Sequence, residues 1–172
     1  MKPRIKICCI GSTEEAKTAV EYGASALGFV GKMPSGPGVI DDELIFKIVK
    51  TVPANIETFL LTSETSADAI VSHFRRTQTN TIQMVDSVGE ETYAQLRQAL
   101  PAVKLVQVIH VLNETSLDEA IKVSRQVDAV LLDSGNPNLP IKELGGTGRI
   151  HNWKLSGKIR ESIQVPVFLA GG

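Results

Sequence analysis

Apolar and polar positions along this chain fall into two alternating patterns. Short apolar runs over residues 5–10, 26–30, 56–62, 81–85, 104–110, 129–133 and 167–170 predict strands. Between them, apolar residues recur at helical spacing over 13–22, 41–52, 66–76, 90–100, 116–126 and 153–162. The boundaries carry their own chemistry. Ser12 or Thr13 can cap the first helix ahead of Glu14 and Glu15, Gly23 closes it, and Pro53 and Pro101 stop two others. A long glycine- and proline-containing loop separates the sixth strand from the last helix.

Strands that are almost wholly apolar, each followed by a helix, predict a parallel sheet covered by helices. About seven strands and six helices leave an open doubly wound sheet or a (β/α)8 barrel. The first turn, Cys8-Cys9-Ile10-Gly11-Ser12, has no G-x-G-x-x-G, which weakens the dinucleotide-binding alternative. The prediction is therefore an α/β fold, a (β/α)8 TIM barrel over residues 1–172 as one domain, one strand short. The sequence stops at Leu169-Ala170-Gly171-Gly172, where a seventh strand would hand over to its loop. That ending predicts a barrel incomplete at its C-terminus, lacking the last strand and helices.

Composition narrows the function classes. The 172 residues carry 18 Lys and Arg against 19 Asp and Glu, a net charge of −1, and the basic residues are dispersed. A nucleic-acid binder would show a basic patch or stripe, so no nucleic-acid partner is expected. No apolar run approaches the ~20 residues of a membrane span, and the opening Met1-Lys2-Pro3-Arg4 is charged where a signal peptide is apolar, so a cytoplasmic location without membrane association is expected. Neighbouring residues of a strand point to opposite faces, which argues against a structural disulfide between Cys8 and Cys9. His73, His110 and His151 stand apart from one another and from the cysteines, so no metal site is expected.

In such a barrel, chemistry sits at the C-terminal ends of the strands. Cys8 and Cys9 end the first strand and are either small buried hydrophobes or rim thiols. Asp133 follows four apolar residues and is either a turn cap or a proton-transfer group. Leu144-Gly145-Gly146-Thr147-Gly148-Arg149 precedes a helix and can expose backbone N–H groups to a phosphate; Gly171-Gly172 offers a second such turn. The stretch 34–38 is a lid or a connector, and Trp153 at a helix start reads as packing.

Taken in order, Lys6-Ile7-Cys8, the stretch 22–30 (YGASALGFV), Leu131-Leu132-Asp133, Gly145-Gly146-Thr147-Gly148 followed by Trp153, and the stretch 167–172 (VFLAGG) resemble the phosphoribosylanthranilate isomerase family of tryptophan biosynthesis. The resemblance implies an Amadori rearrangement of N-(5-phosphoribosyl)anthranilate to the 1-deoxyribulose 5-phosphate product. It assigns Cys8 as the general base, Asp133 as the general acid, and Gly146, Thr147, Gly148, Gly171 and Gly172 as the phosphate cradle. Lys6 and Gln83 become candidate substrate contacts. The implied partner is a small phosphosugar, with no cofactor or metal, and the chain acting as a monomer or homodimer.

Four positions depart from the family pattern. Cys9 replaces a glycine, Gly38 an arginine that meets the anthranilate carboxylate, Val85 a histidine, and Asn152 an aspartate before the tryptophan. The acid, the base and the phosphate cradle are kept while the aglycone side is altered. Two alternatives stay open beside the usual reaction: an isomerase acting on another phosphoribosyl amine, and a non-catalytic phosphosugar-binding relative.

Overall fold

A computed structural model describes residues 3–150 and 152–171. Seven strands form one sheet: β1 (Lys6–Ile7), β2 (Ala26–Val30), β3 (Glu57–Thr62), β4 (Thr81–Met84), β5 (Lys104–His110), β6 (Ala129–Asp133) and β7 (Val167–Leu169). They lie side by side in chain order and every neighbouring pair is parallel. Six helices alternate with them: α1 (Thr13–Glu21), α2 (Asp42–Val49), α3 (Ala67–Thr77), α4 (Glu90–Ala99), α5 (Thr115–Val123) and α6 (Trp153–Ser162). Among the described residues β1 and β7 each pair on one side only. The architecture is the predicted α/β barrel, incomplete by the strand that would join its two edges.

The helices start where short polar side chains catch free backbone donors. Ser12 accepts from the Glu15 N–H, Asp41 from Leu44, Ser66 from Ala69 and Asn152 from Leu155. Asn152 thus caps α6 as well as an aspartate would. No helix among the described residues is long and apolar enough to cross a membrane.

Strand alternation divides the core into an outer and an inner layer. On β2, Leu27 and Phe29 pack outward with Ile45, Ile48 and Leu60 beneath α1 and α2. Ala26 and Val30 point the other way, into an inner cluster with Phe59, Leu61, Val85, Val106, Val108, Ala129 and Leu131. This period of two places Gln83 and Asp133 on the inward parity of their strands, in step with Val85 and Leu131 respectively.

The expected first strand, residues 5–10, is cut to Lys6–Ile7. Cys9 adopts φ 60°, a left-handed conformation that no ladder accommodates. The alternation argument for Cys8 and Cys9 fails for the same reason, since the two residues leave the strand. Trp153 at the start of α6 is 55% exposed.

One buried polar network braces the sheet to its helices. His73 of α3 is almost fully buried, with Nδ1 2.9 Å from Thr62 Oγ1 and Nε2 2.9 Å from Asp42 Oδ1. The Asp42 carboxylate can only accept, so Nε2–H donates to it, and the bare Nδ1 of the neutral ring accepts from the Thr62 hydroxyl, which itself accepts from the Glu64 N–H. Both ring nitrogens of the neutral imidazole are thereby satisfied. Burial holds the His73 pKa below its usual value, opposed by the Asp42 charge and reinforced by Arg76. Below the unfolded pKa of about 6.5 the unfolded chain takes up a proton that the folded chain refuses, so His73 contributes stability above that pH and loses it as pH falls. Thermal unfolding followed between pH 7.5 and 5 (roughly the range bracketing that value) should show a steeper acid loss in the wild type than in His73→Gln. Equal slopes would remove His73 from the pH response.

Candidate active site

The sulfur of the first-strand cysteine has a place made for it. A Cβ at Gly28, in the middle of β2, would lie 2.9 Å from Cys8 Sγ and 3.3 Å from its Cα, so only glycine lets β1 pack this closely. Lys6 Nζ donates to Cys8 Sγ at 2.7 Å, which sets the ammonium against the atom that carries charge in the thiolate form. The same ammonium lies 5.0 Å from the centroid of Phe59, whose ring meets Phe168 edge-on at 5.5 Å. A cation over an aromatic face keeps its charge partly solvated inside an apolar barrel.

Asp133 ends β6 in register with His110 of β5. Its Oδ1 accepts from the Ser134 N–H at 2.8 Å, while a Cβ at Gly145 would fall 3.0 Å from its Oδ2. The glycine-rich loop therefore passes directly over the carboxylate. Beyond it, Gly146 and Gly148 take φ 66° and 64°, and the Thr147 and Ser134 hydroxyls hydrogen-bond at 2.8 Å. Gly171 at the end of β7 has φ 97°.

These elements enclose one cavity of 1230 Å³ that opens between β1 and β7. Cys8, Asp133, Lys6, Gln83, Gly146, Thr147, Gly148 and Gly171 all line it. Gly172 and His151 lie outside the described residues. Gln83 is 3% exposed and its Oε1 has no hydrogen-bond partner among the described residues. A buried unpaired acceptor costs ~1–3 kcal/mol, a debt that a hydroxyl or N–H donor arriving in the cavity would cancel. Among the described residues, no group of three or more His, Cys, Asp or Glu side chains is arranged to hold a metal ion.

The 34–38 loop is tied down as a wall. Ser35 Oγ donates to the Lys142 carbonyl at 2.6 Å, a Cβ at Gly146 would meet Pro37 Cδ at 2.6 Å, and Lys142 forms an ion pair with Asp86 beyond β4. Three strand ends are thus fastened together over the cavity. The sequence offers no periodic signal for Gly28, Ser134 or the Lys142–Asp86 pair; each is visible only through its contacts.

The N-(5'phosphoribosyl)anthranilate (PRA) isomerase family model matches residues 5–172. The chain belongs to this family. It is 32% identical over 170 residues to "N-(5'-phosphoribosyl)anthranilate isomerase 2" of Methanosarcina mazei, covering 98% of this chain and 74% of that protein. A relative from Trichodesmium erythraeum, "N-(5'-phosphoribosyl)anthranilate isomerase", is 31% identical, over 98% of this chain and 71% of its own. Among solved structures, the phosphoribosyl anthranilate isomerase from Thermotoga maritima superposes with a TM-score of 0.78 at 27% identity, covering 99% of this chain and 78% of that one.

Membership in the isomerase family gives the departures at positions 9 and 38 a shared physical cause. A Cβ at Gly38 would lie 2.5 Å from Cys9 Cβ and 2.8 Å from its Sγ, and Gly38 has φ 78°. Cys9 occupies the volume that a side chain at 38 would need, so the two replacements are reciprocal. Gly38→Arg alone should lower the thermal midpoint. In a Cys9→Gly background the same substitution should cost measurably less, a non-additivity that a double-mutant cycle on unfolding free energy detects. Additive effects would separate the two sites.

Proposed function

We propose that this chain converts N-(5-phosphoribosyl)anthranilate into 1-(2-carboxyphenylamino)-1-deoxyribulose 5-phosphate, with Asp133 as general acid and Cys8 as general base. The observation that carries the reading is the convergence of Cys8 from β1 and Asp133 from β6 on one cavity whose rim is a glycine-rich loop. Asp133 gives its proton to the furanose ring oxygen, the C1′–O bond opens, and the anilino nitrogen lone pair forms the iminium. The Cys8 thiolate then removes the C2′ proton, and the electron pair moves to give the enolamine. Loss of the O2′ proton and protonation at C1′ yield the ketose; the sum is an isomerisation with no net change of atoms. An acid and a base on opposite strands suit this order, because the two protons leave and arrive on different atoms of one sugar.

Gly146, Thr147, Gly148, Gly171 and Gly172 form the phosphate cradle in this reading, with Ser134 holding Thr147 in place. Positive-φ glycines present successive N–H groups to an anion, and α6 begins just beyond the loop. Lys6 keeps its ammonium on the sulfur of Cys8, and Gln83 meets a hydroxyl or amine of the substrate. In the same reading the chain acts as one barrel domain in the cytoplasm, as a monomer or homodimer on a small phosphosugar. The two free cysteines in the cavity fit a reducing compartment.

Turnover followed by the loss of substrate fluorescence tests the assignment. Cys8→Ala and Asp133→Asn should each lower kcat by ~10²-fold or more, the usual worth of a positioned acid or base, with the fold retained. Retention of near-wild-type kcat in either variant would remove that residue from the chemistry. Gly146→Ala, which drives a Cβ toward Pro37, should instead raise KM and weaken competitive inhibition by inorganic phosphate, with a smaller effect on kcat. An unchanged phosphate inhibition constant would move the phosphate elsewhere.

A further inference from the structure

Cys8 and Cys9 are adjacent thiols that both line the same cavity, and both are exposed to it. Residues 8 and 9 of an unbroken strand would face opposite ways; with φ 60° at Cys9 the backbone leaves that alternation, and both residues line one cavity. Among the described residues, the one hydrogen bond of Cys9 Sγ is a long, weak one of 3.7 Å to the Pro37 carbonyl. Lys6 Nζ lies 2.7 Å from Cys8 Sγ, a cation beside an accessible sulfur, which is the setting in which thiolates react with peroxides. We propose that Cys8 and Cys9 form a vicinal dithiol that hydroperoxides oxidise to a reversible disulfide, so that the second thiol shields the first from irreversible oxidation.

The chemistry balances as a two-electron oxidation. The Cys8 thiolate attacks hydrogen peroxide, the O–O bond breaks, and Cys8 becomes a sulfenic acid as hydroxide leaves. Cys9 sulfur then attacks the Cys8 sulfur, the S–S bond forms and the S–O bond breaks, releasing the oxygen as water once protonated. The two thiols have lost two hydrogens and the peroxide has become two waters. Burial and the nearby Cys8 charge push the Cys9 thiol up, opposed by Lys6, so Cys9 enters the second step as the resolving thiol rather than the first as the attacking one.

The resulting ring must be labile. Adjacent Cα atoms across a trans peptide are ~3.8 Å apart, shorter than the ~4.4–6.8 Å that relaxed disulfides span, so the bridge stores strain and dithiothreitol should open it readily. A glycine at position 9 relieves the left-handed strain and deletes the resolving thiol. Cys9→Gly is therefore a variant whose fold is favoured and whose oxidation chemistry is changed.

The test is intact-protein mass spectrometry after hydrogen peroxide treatment, with turnover of N-(5-phosphoribosyl)anthranilate measured before and after dithiothreitol. Wild type should lose two hydrogens, with the Cys8–Cys9 link located in a peptide, and should return to its starting mass on reduction. Cys9→Gly should instead gain two or three oxygens at Cys8 and recover little of its own starting rate. Oxygen addition without disulfide in the wild type, or recovery no better than that of Cys9→Gly, would overturn the proposal. The inference uses the reading of Cys8 as the base only for the activity arm. A disulfide that forms and reverses while turnover persists would support the dithiol and refute that reading.

Discussion

Parallel pairing is the constraint on which everything else here rests. A strand can join a parallel neighbour only after the chain has crossed back outside the sheet, and in this chain a helix makes that return wherever one strand hands over to the next. Seven strands in chain order therefore deliver all their C-terminal ends to one rim. A thiol that follows β1 and a carboxylate that ends β6 become neighbours of one cavity although most of the chain lies between them. The glycine loop after β6 and Gly171 after β7 arrive at the same rim for the same reason.

Within that frame, the inward face must both fill a barrel and leave room for chemistry. Phe59, Leu61 and Leu131 supply the filling, and small residues supply the room. Gly28 removes a side chain where Cys8 needs to sit, and Gly145 removes one where the loop crosses Asp133. A glycine inside a strand weakens it by ~0.5–1 kcal/mol relative to alanine, a cost that is local while the close approach it permits reaches the neighbouring strand. Lys6 shows the complementary solution: its half-buried ammonium rests on the Phe59 ring and on the Cys8 sulfur together.

Periodicity made most of the fold legible, because buried strands and amphipathic helices write their partners into their own spacing. The bounds of β5, β6 and α6 follow directly from residues 104–110, 129–133 and 153–162. Shorter observed helices have local causes: α2 ends at Val49 because Thr51 and Val52 turn their N–H groups to Ile48 and Val49, tightening the last turn before Pro53. That Cys8, Asp133 and the glycine loop lie at the C-terminal ends of strands was legible, and the structure brings them to one cavity; the roles proposed for them come from the family resemblance. What joins β4 to the loop after β6, Asp86 to Lys142, was not legible, since an ion pair between distant loops leaves no pattern in either. The break at Cys9 was hidden too, because cysteine in an apolar run reads as strand until its φ is known.

The pair at positions 9 and 38 shows why departures from a family pattern are better read in space than in sequence. Taken singly, a cysteine for glycine and a glycine for arginine look like two losses at the aglycone side. In the fold they are one exchange of volume, since the first carbon of a side chain at 38 would collide with the Cβ and sulfur of Cys9. The wall left behind is formed by Cys9, Val30, Met33, Pro37, Leu61 and Val85, with no charged side chain among them. An aromatic aglycone against such a wall gains ~25 cal/mol for each Å² of apolar surface removed from water, rather than a directed ion pair. In the proposed reaction, recognition there would rest on shape and burial, while the sugar and its phosphate would keep the polar contacts that orient the reacting carbons. On that reading, specificity shifts toward the half of the substrate that the chemistry touches.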